Sequence, residues 1–379
     1  MNNRKRLFEE DLLLKSNKER IDFFNDFTIS HPKMKKVLDE LKNEIYKGSQ
    51  NIIMVVGPSG VGKSRLFSAT ILSVLKDMNE ELEQDKSIIP ITGIELPNPD
   101  LGKFNWKDFY YRVLSSLNEP LIDYKIDVTN LGKQEKKNKS YFNARTAPEL
   151  RRSIENAFFY RKTKALLIDE AQHFFKINFG KSGNSEKNQR QFNSIKSLAN
   201  MSNTKKVLFG TYDLNAVFNL DGQLSRRVKE IHFPRYDYTI EADKKDFQAV
   251  LLTFQKLLPV KKEPDFLKYS EYMFESSIGC IGILKNWLQR CLSDAIDNNE
   301  KTITYGNLKR NVLQTKKLIT LAKEAIYGEE YFNENKKDKE TLQNLLGTKN
   351  EKKNVEQKGK NNKSKPGVRN PERDIVGFA

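Results

Sequence analysis

The eight residues GPSGVGKS, Gly57 to Ser64, constrain this chain more than any other stretch. They follow the apolar run NIIMVV (51–56) and open a helical pattern, so a buried strand passes through a tight glycine turn into a helix. The stretch fits G-x-x-x-x-G-K-[ST]. Glycines tolerate the backbone that turns successive N–H groups inward, and the helix start adds the positive end of its dipole. Such a loop surrounds a phosphate. Gly57, Pro58, Ser59, Gly60, Val61, Gly62 and Arg65 are expected to form or flank the cradle. Lys63 is expected to reach the outer phosphates of a nucleoside triphosphate, and Ser64 to ligate Mg²⁺.

The surrounding pattern agrees with that loop. Short β-branched runs at 51–56, 89–96, 165–169, 206–210 and 229–233 alternate with helical patterns near 63–80, 105–117, 148–162 and 188–201. That alternation predicts an α/β fold, a five-stranded parallel sheet between helices. Four regions follow: a helical arm (1–25), an α/β core (26–235), a small helical lid (236–327) and a basic tail (328–379) whose composition predicts disorder. Leu7, Phe8, Leu12 and Leu13 give the arm its helical spacing. The connection before the third strand, 116–146, is long enough to suggest a functional loop.

The third strand ends in acids, LLIDE (166–170). Beside a phosphate loop, Asp169 is expected to order the Mg²⁺ shell and Glu170 to orient or deprotonate the attacking water. The fourth strand ends in FGTYD, where Thr211 either meets the outermost phosphate or caps the next helix. Arg226 and Arg227, in QLSRR before the fifth strand, are either an exposed basic pair or an arginine finger offered to a neighbour.

Composition narrows the class. The formal net charge is +16, favouring a polyanionic partner. Cys280 and Cys291 lie roughly 16 Å apart along a predicted helix, too far to bridge. His31, His173 and His232 show no metal-ligand spacing with them, so structural zinc is not expected. The first residues lack a signal-peptide core, and no apolar run approaches a membrane span. A soluble, cytoplasmic protein with no membrane partner is the expectation.

Taken in order, the motifs resemble those of an AAA+ P-loop NTPase. More narrowly, TISHPKMKKVLDEL, GPSGVGKSRL, LLIDEAQHF and VLFGTYDLNAVFNLDGQLSRRVKEIHFPRY are similar to the TniB/TnsC family of transposition regulators from Tn7-like elements, over roughly residues 26 to 295. The resemblance implies ATP and Mg²⁺ as cofactors and homo-oligomeric rings or filaments on duplex DNA. It also implies recruitment of a DDE transposase, with ATP hydrolysis driving disassembly. Target choice would rest with a separate selector, in some elements a CRISPR-guided complex. By the same resemblance Arg227, more than Arg226, is the trans-acting arginine, and His31 and Pro32 flank the adenine.

Two departures stand out. Gly282, in SIGCIGILKNWLQR, falls where many AAA+ lids carry a phosphate-sensing arginine, leaving Lys285 one turn on as a substitute. Thr211 replaces the asparagine common at its sensor position. Both changes suggest slow hydrolysis.

For DNA, residues 103–164 hold 14 Lys and Arg against 7 acids. Within them Lys133, Lys136, Lys137 and Lys139 form a basic loop. Arg145, Thr146, Arg151 and Arg152 are the expected backbone contacts, sequence-tolerant and salt-sensitive. Residues 349–373 hold 9 Lys and Arg against 3 acids, and the final PERDIVGFA is apolar enough to dock a transposase subunit. Three other readings remain open: a helicase, an ExeA-like secretion ATPase and a replicative-helicase loader.

Overall fold

A computed structural model describes residues 6–99, 104–122, 146–174, 197, 202–218, 225–333 and 336–348. Five strands form one parallel sheet: β1 (Ile52–Val56), β2 (Ile91–Glu95), β3 (Ala165–Asp169), β4 (Lys205–Gly210) and β5 (Val228–His232). Their order is β2-β3-β4-β1-β5. The β1 and β3 strands are buried on both faces, as their unbroken apolar runs require. Alternate β1 residues feed two cores. Ile52, Met54 and Val56 meet Phe109, Val113, Ile154 and Phe158 on one face, while Ile53 and Val55 meet Leu41, Leu66 and Val74 on the other.

The helices of the first face are α5 (Trp106–Ser116) and α6 (Ala147–Tyr160). Those of the second are α2 (Pro32–Lys47) and α3 (Lys63–Asp77). The helix expected over 63–80 instead stops at Asp77 and restarts as α4 (Asn79–Gln84), because Met78 leaves helical geometry at φ −104°. The strand expected over 89–96 is shorter. Pro90 has no N–H to donate, and its carbonyl instead accepts from Lys164 N at 2.7 Å. The helix expected over 188–201 lies, apart from residue 197, outside the described residues.

The arm is not one helix. Glu10–Leu14 is a 3₁₀ turn that buries only Leu12, and Ser16 then caps α1 (Asn17–Asp26) with a reciprocal Ser16–Glu19 capping box. A serine followed three residues later by glutamate favours a fresh helix start over continuation. Phe24 of α1 sits in the core of a second helical layer. That layer comprises α8 (Glu241–Leu257), α9 (Ser270–Ser277), α10 (Ile281–Asp297) and α11 (Tyr305–Asn311), with the short α7 (Asp213–Phe218) following β4 in the sheet domain. Trp287 is buried at its centre and donates to Leu308 O at 3.1 Å. Cys280 and Cys291 are both buried and free.

The expected boundary at 327/328 falls inside α12 (Thr315–Glu330). Residues 333–379 form a separate unit. In it Lys336–Leu345 is helix α13, within a tail expected to be largely disordered; its Lys, Glu, Leu and Gln are good helix formers. Among the described residues no helix is long and apolar enough to cross a membrane.

Candidate active site

The P-loop leaves β1 between β4 and β5, at the strands' C-terminal edge, the place where open α/β sheets bind ligands. Gly60 and Gly62 have φ of +77° and +117°. At Gly57 a Cβ would stand 2.3 Å from Phe233 O, so only glycine lets the loop lie on the end of β5. Gly62 is the N-cap of α3 and offers no side-chain cap. The first N–H groups of α3 are therefore left for an anion. Lys63 Nζ donates to Gly57 O and Pro58 O, each at 2.8 Å, which centres its charge in the loop. Burial pushes the Lys63 ammonium down, while Glu170 and then Asp169 pull it back up.

The acid pair reaches the same edge. Ile168 is level with Leu208, and Leu208 with Met54, so Asp169 stands one residue further toward the loop. Asp169 is buried and accepts the Glu170 N–H at 2.9 Å. Glu170 has φ +53°, a left-handed conformation that costs a non-glycine residue about 1 kcal/mol or more. Sequence reading passed over Gln172. Its amide donates to Glu170 Oε2, and its own Oε1 lies 2.7 Å from where a Gly210 Cβ would be. It thus packs against Gly210 at the end of β4 while holding Glu170 at the end of β3. His173 adds Nε2 at 4.0 Å from Glu170 Oε2, with Nδ1 2.9 Å from Leu96 O.

Ser64 is exposed in the first turn of α3, and Asp169 ends β3. A hydroxyl and a carboxylate are the oxygen donors Mg²⁺ prefers, so these residues fit that ion. When bound, it would neutralise charge between the outer phosphates.

Other expected residues divide. Thr211 follows Gly210, which is level with Val56, so it reaches the loop edge; its hydroxyl is 3.4 Å from Asp213 Oδ2. His31 is the N-cap of α2, with Pro32 as its first residue. Its ring is buried, hydrogen-bonds Tyr236 Oη at 3.0 Å and stacks on Phe233, the residue beneath the P-loop. Burial, then Lys33, pushes its pKa down to about 4, so it stands neutral. Lys285 Nζ donates to Asn25 O and Phe27 O, both at 2.6 Å. It caps the C-terminus of α1 instead of pointing freely at phosphate. Burial, then Arg65, pushes it down to about 8.

Gly282 carries no side chain for a structural reason. Its N–H donates to Gly60 O at 2.8 Å, and a Cβ would come within 2.5 Å of that oxygen. A P-loop carbonyl therefore caps the lid helix α10, whose N-cap Cys280 makes no side-chain cap.

Arg226 and Arg227 precede β5, and Val228 is level with Ile52, the first residue of β1. At about 3.3 Å per residue, β5 separates them from their own P-loop by roughly 16 Å. Arg226 is exposed, Arg227 is half-exposed, and neither hydrogen-bonds or ion-pairs among the described residues.

Of the DNA candidates, Thr146 and Glu149 form the capping box of α6. Arg151 donates to Ser197 Oγ at 2.6 Å and faces Glu155 at 3.4 Å, while Arg152 is exposed. Lys133, Lys136, Lys137, Lys139 and Arg145 lie outside the described residues. Of the aromatics, Phe158 and Phe174 are core, and Phe159 and Tyr160 are 77% and 73% exposed.

A phosphate loop after β1, an acid pair two strands away and the 2-3-4-1-5 order with a following helical layer define a P-loop ATPase of AAA+ architecture. The family model described as "Bacterial TniB protein" matches residues 20–238, more than half of the chain, and the protein belongs to that family. The chain resembles the ADP form of the Aeropyrum pernix ORC2 protein at 11% identity, with a TM-score of 0.51, covering 76% of this chain and 71% of that one. It also matches the Walker-type ATPase paby2304 of Pyrococcus abyssi at 16% identity, with a TM-score of 0.43, covering 86% and 81%. No protein of curated function matches it in sequence.

Proposed function

We propose that this ATPase assembles in an ATP-dependent manner on duplex DNA and passes a chosen target site to a DDE transposase, with hydrolysis releasing the assembly. The observation that carries the reading is the displacement of Arg227 from its own P-loop. An arginine whose backbone lies a strand's length, roughly 16 Å, from its own P-loop is better placed to serve the site of a second copy, so the active site would close between subunits. Lys63 and the N–H groups of α3 hold the phosphates. Glu170, oriented by Gln172 and its own strained backbone, positions the attacking water.

Family membership supports the transposition role, with the transposase and a target selector, in some elements CRISPR-guided, as partners. The +16 charge and the exposed Arg152 support DNA as the polyanion, with Arg145, Thr146 and Arg151 beside it. The cytoplasm is the compartment where such partners meet.

Mixed assemblies test the reading. Lys63→Ala and Arg227→Ala are each expected to abolish hydrolysis. Mixed in equal amounts with duplex DNA, they should recover part of it, because some interfaces pair an intact P-loop with an intact arginine. No recovery, or an active Arg227→Ala protein, would overturn the shared site.

A further inference from the structure

Beyond the motifs, α12 takes an unexpected course. Leu318, Leu321 and Ala322 pack against Ile278, Cys280 and Ile283, at the first turn of α10 where it touches Gly60. Ten residues later the helix has reached the ends of β4 and β5. There Gly328 lies so close to the Tyr212 ring that any Cβ would collide with it, and Phe332 stacks on His232 at 4.1 Å. Tyr212 Oη and His232 Nε2 are 2.9 Å apart, which fixes the surface on which α12 rests. The helix thus runs from the lid to the strand ends along the phosphate edge of the P-loop.

One ion pair secures its last turn. Arg235 Nε donates to Glu329 Oε2 at 3.1 Å, with both side chains largely buried. The pairing is incomplete. Glu329 Oε1 is buried without a hydrogen-bond partner, although a guanidinium and a carboxylate ordinarily engage through two parallel bonds. Burial pushes the Glu329 carboxyl up, against the pull of Arg235. A buried pair that leaves a lone pair unsatisfied is held only weakly against a better anion.

The backbone of Arg235 is rigidly placed beside the P-loop. Phe233 N donates to Val56 O at 2.7 Å, Tyr236 N to Gly279 O at 3.0 Å, and Lys33 Nζ donates to Arg235 O at 2.7 Å. Besides Glu329, the Arg235 side chain makes a long bond from Nη1 to Tyr236 O at 3.4 Å. Arg235 follows Phe233, whose carbonyl lies against Gly57 of the P-loop, by two residues. At the start of α10, Gly282 has no side chain and Lys285 is engaged by α1.

We propose that Arg235 is a phosphate-positioning residue that exchanges Glu329 for the terminal phosphate of ATP, so that a triphosphate and the last turn of α12 compete for one guanidinium. This rests on the ATP-site reading above. ADP lacks the group that would draw Arg235 away and leaves α12 docked. ATP frees the last turn of α12 and uncovers the Tyr212–His232 surface along the phosphate edge.

The test is titration of the full chain with Mg²⁺ and fluorescent ADP or a slowly hydrolysed ATP analogue. Arg235→Ala should weaken the triphosphate about tenfold or more and leave ADP within about twofold. Glu329→Gln should tighten the triphosphate several-fold and have no effect once Arg235 is alanine. In the unsubstituted chain, amide exchange over 324–332 should rise with the triphosphate and not with ADP. Equal losses for both nucleotides in Arg235→Ala, or the same Glu329→Gln effect with and without Arg235, would overturn the proposal. Should Arg235→Ala fold poorly, Glu329→Gln alone decides by whether it separates the two nucleotides. Lys63→Ala distinguishes the underlying reading: it must lose both nucleotides, and retained binding would reject the site itself.

Discussion

Gly282 is the position where substitution should be most informative, because an arginine would ordinarily be welcome there in an AAA+ lid. Here the N–H of Gly282 is one of the four unpaired donors at the start of α10, and Gly60 O satisfies it at 2.8 Å. A Cβ would meet the same oxygen at 2.5 Å, well inside contact distance, and the obstacle is backbone that cannot rotate away. Gly282→Ala must push the lid helix off the P-loop. Overpacking of this kind costs about 1–3 kcal/mol. Loss of the hydrogen bond adds about 1 kcal/mol. A total of about 2–4 kcal/mol predicts a fall in melting temperature of roughly 4–16 °C for a domain of this size. ADP affinity should fall by tenfold or more, since the loop that holds phosphate also holds the lid. Differential scanning fluorimetry and ADP titration measure both. Gly282→Arg should behave at least as badly and should not improve triphosphate binding. A Gly282→Ala protein with unchanged melting and unchanged ADP affinity would refute the contact.

Two further outcomes follow from the site. Glu170→Gln should keep triphosphate binding and DNA-bound assemblies while slowing hydrolysis by about a hundredfold or more; single-turnover hydrolysis and DNA dissociation after ATP addition measure this. His31, held neutral with its pKa pushed down to about 4 against an ordinary 6.5, makes stability fall as pH drops. The unfolded chain takes up a proton below pH 6.5 that the folded chain refuses, so stability is complete above 6.5 and is lost toward 4. Between pH 6.5 and 5 the loss from this group is about 2 kcal/mol. His232, pushed down to about 4 in the same way, adds to it. Urea midpoints across that range should slope less steeply in His31→Gln; equal slopes would reject the buried neutral ring.

The sheet was legible because β1 and β3 are buried on both faces and therefore read as unbroken apolar runs. The P-loop and acid pair were legible because their chemistry demands fixed residue types at fixed spacing. Gln172 and Arg235 escaped notice for the opposite reason. Each owes its surroundings to folding: Gln172 packs against Gly210 of the neighbouring strand, and Arg235 pairs with Glu329 across 94 residues. Neither helix break was read in the sequence: the Ser16–Glu19 capping box that starts α1 and the interruption at Met78 both emerge from the structure. The α13 helix shows that charge-rich composition alone does not separate disorder from a solvated helix, since lysine and glutamate favour both.

Lys285 shows how the lid is linked to nucleotide without a phosphate-sensing side chain of its own. Asn25 O accepts from Lys285 of α10 at 2.6 Å and from Arg65 of α3 at 3.3 Å. The end of α1 thus joins the lid helix to the P-loop helix. Phe24 of the same turn is buried in the lid core, and Arg20 donates to Pro259 O at 2.6 Å, so the arm is anchored on the lid. Arg65 lies two residues past Lys63, in the turn whose N–H groups face phosphate. Any shift of that turn on nucleotide binding is passed through Asn25 to the arm and through Gly60 to Gly282. The first route passes through the side chains of Arg65 and Lys285 to one backbone carbonyl, and the second is a backbone–backbone bond. On the proposed reading, discrimination between ATP and ADP would fall to groups at the strand ends, which is where Thr211, Glu170 and Arg235 stand.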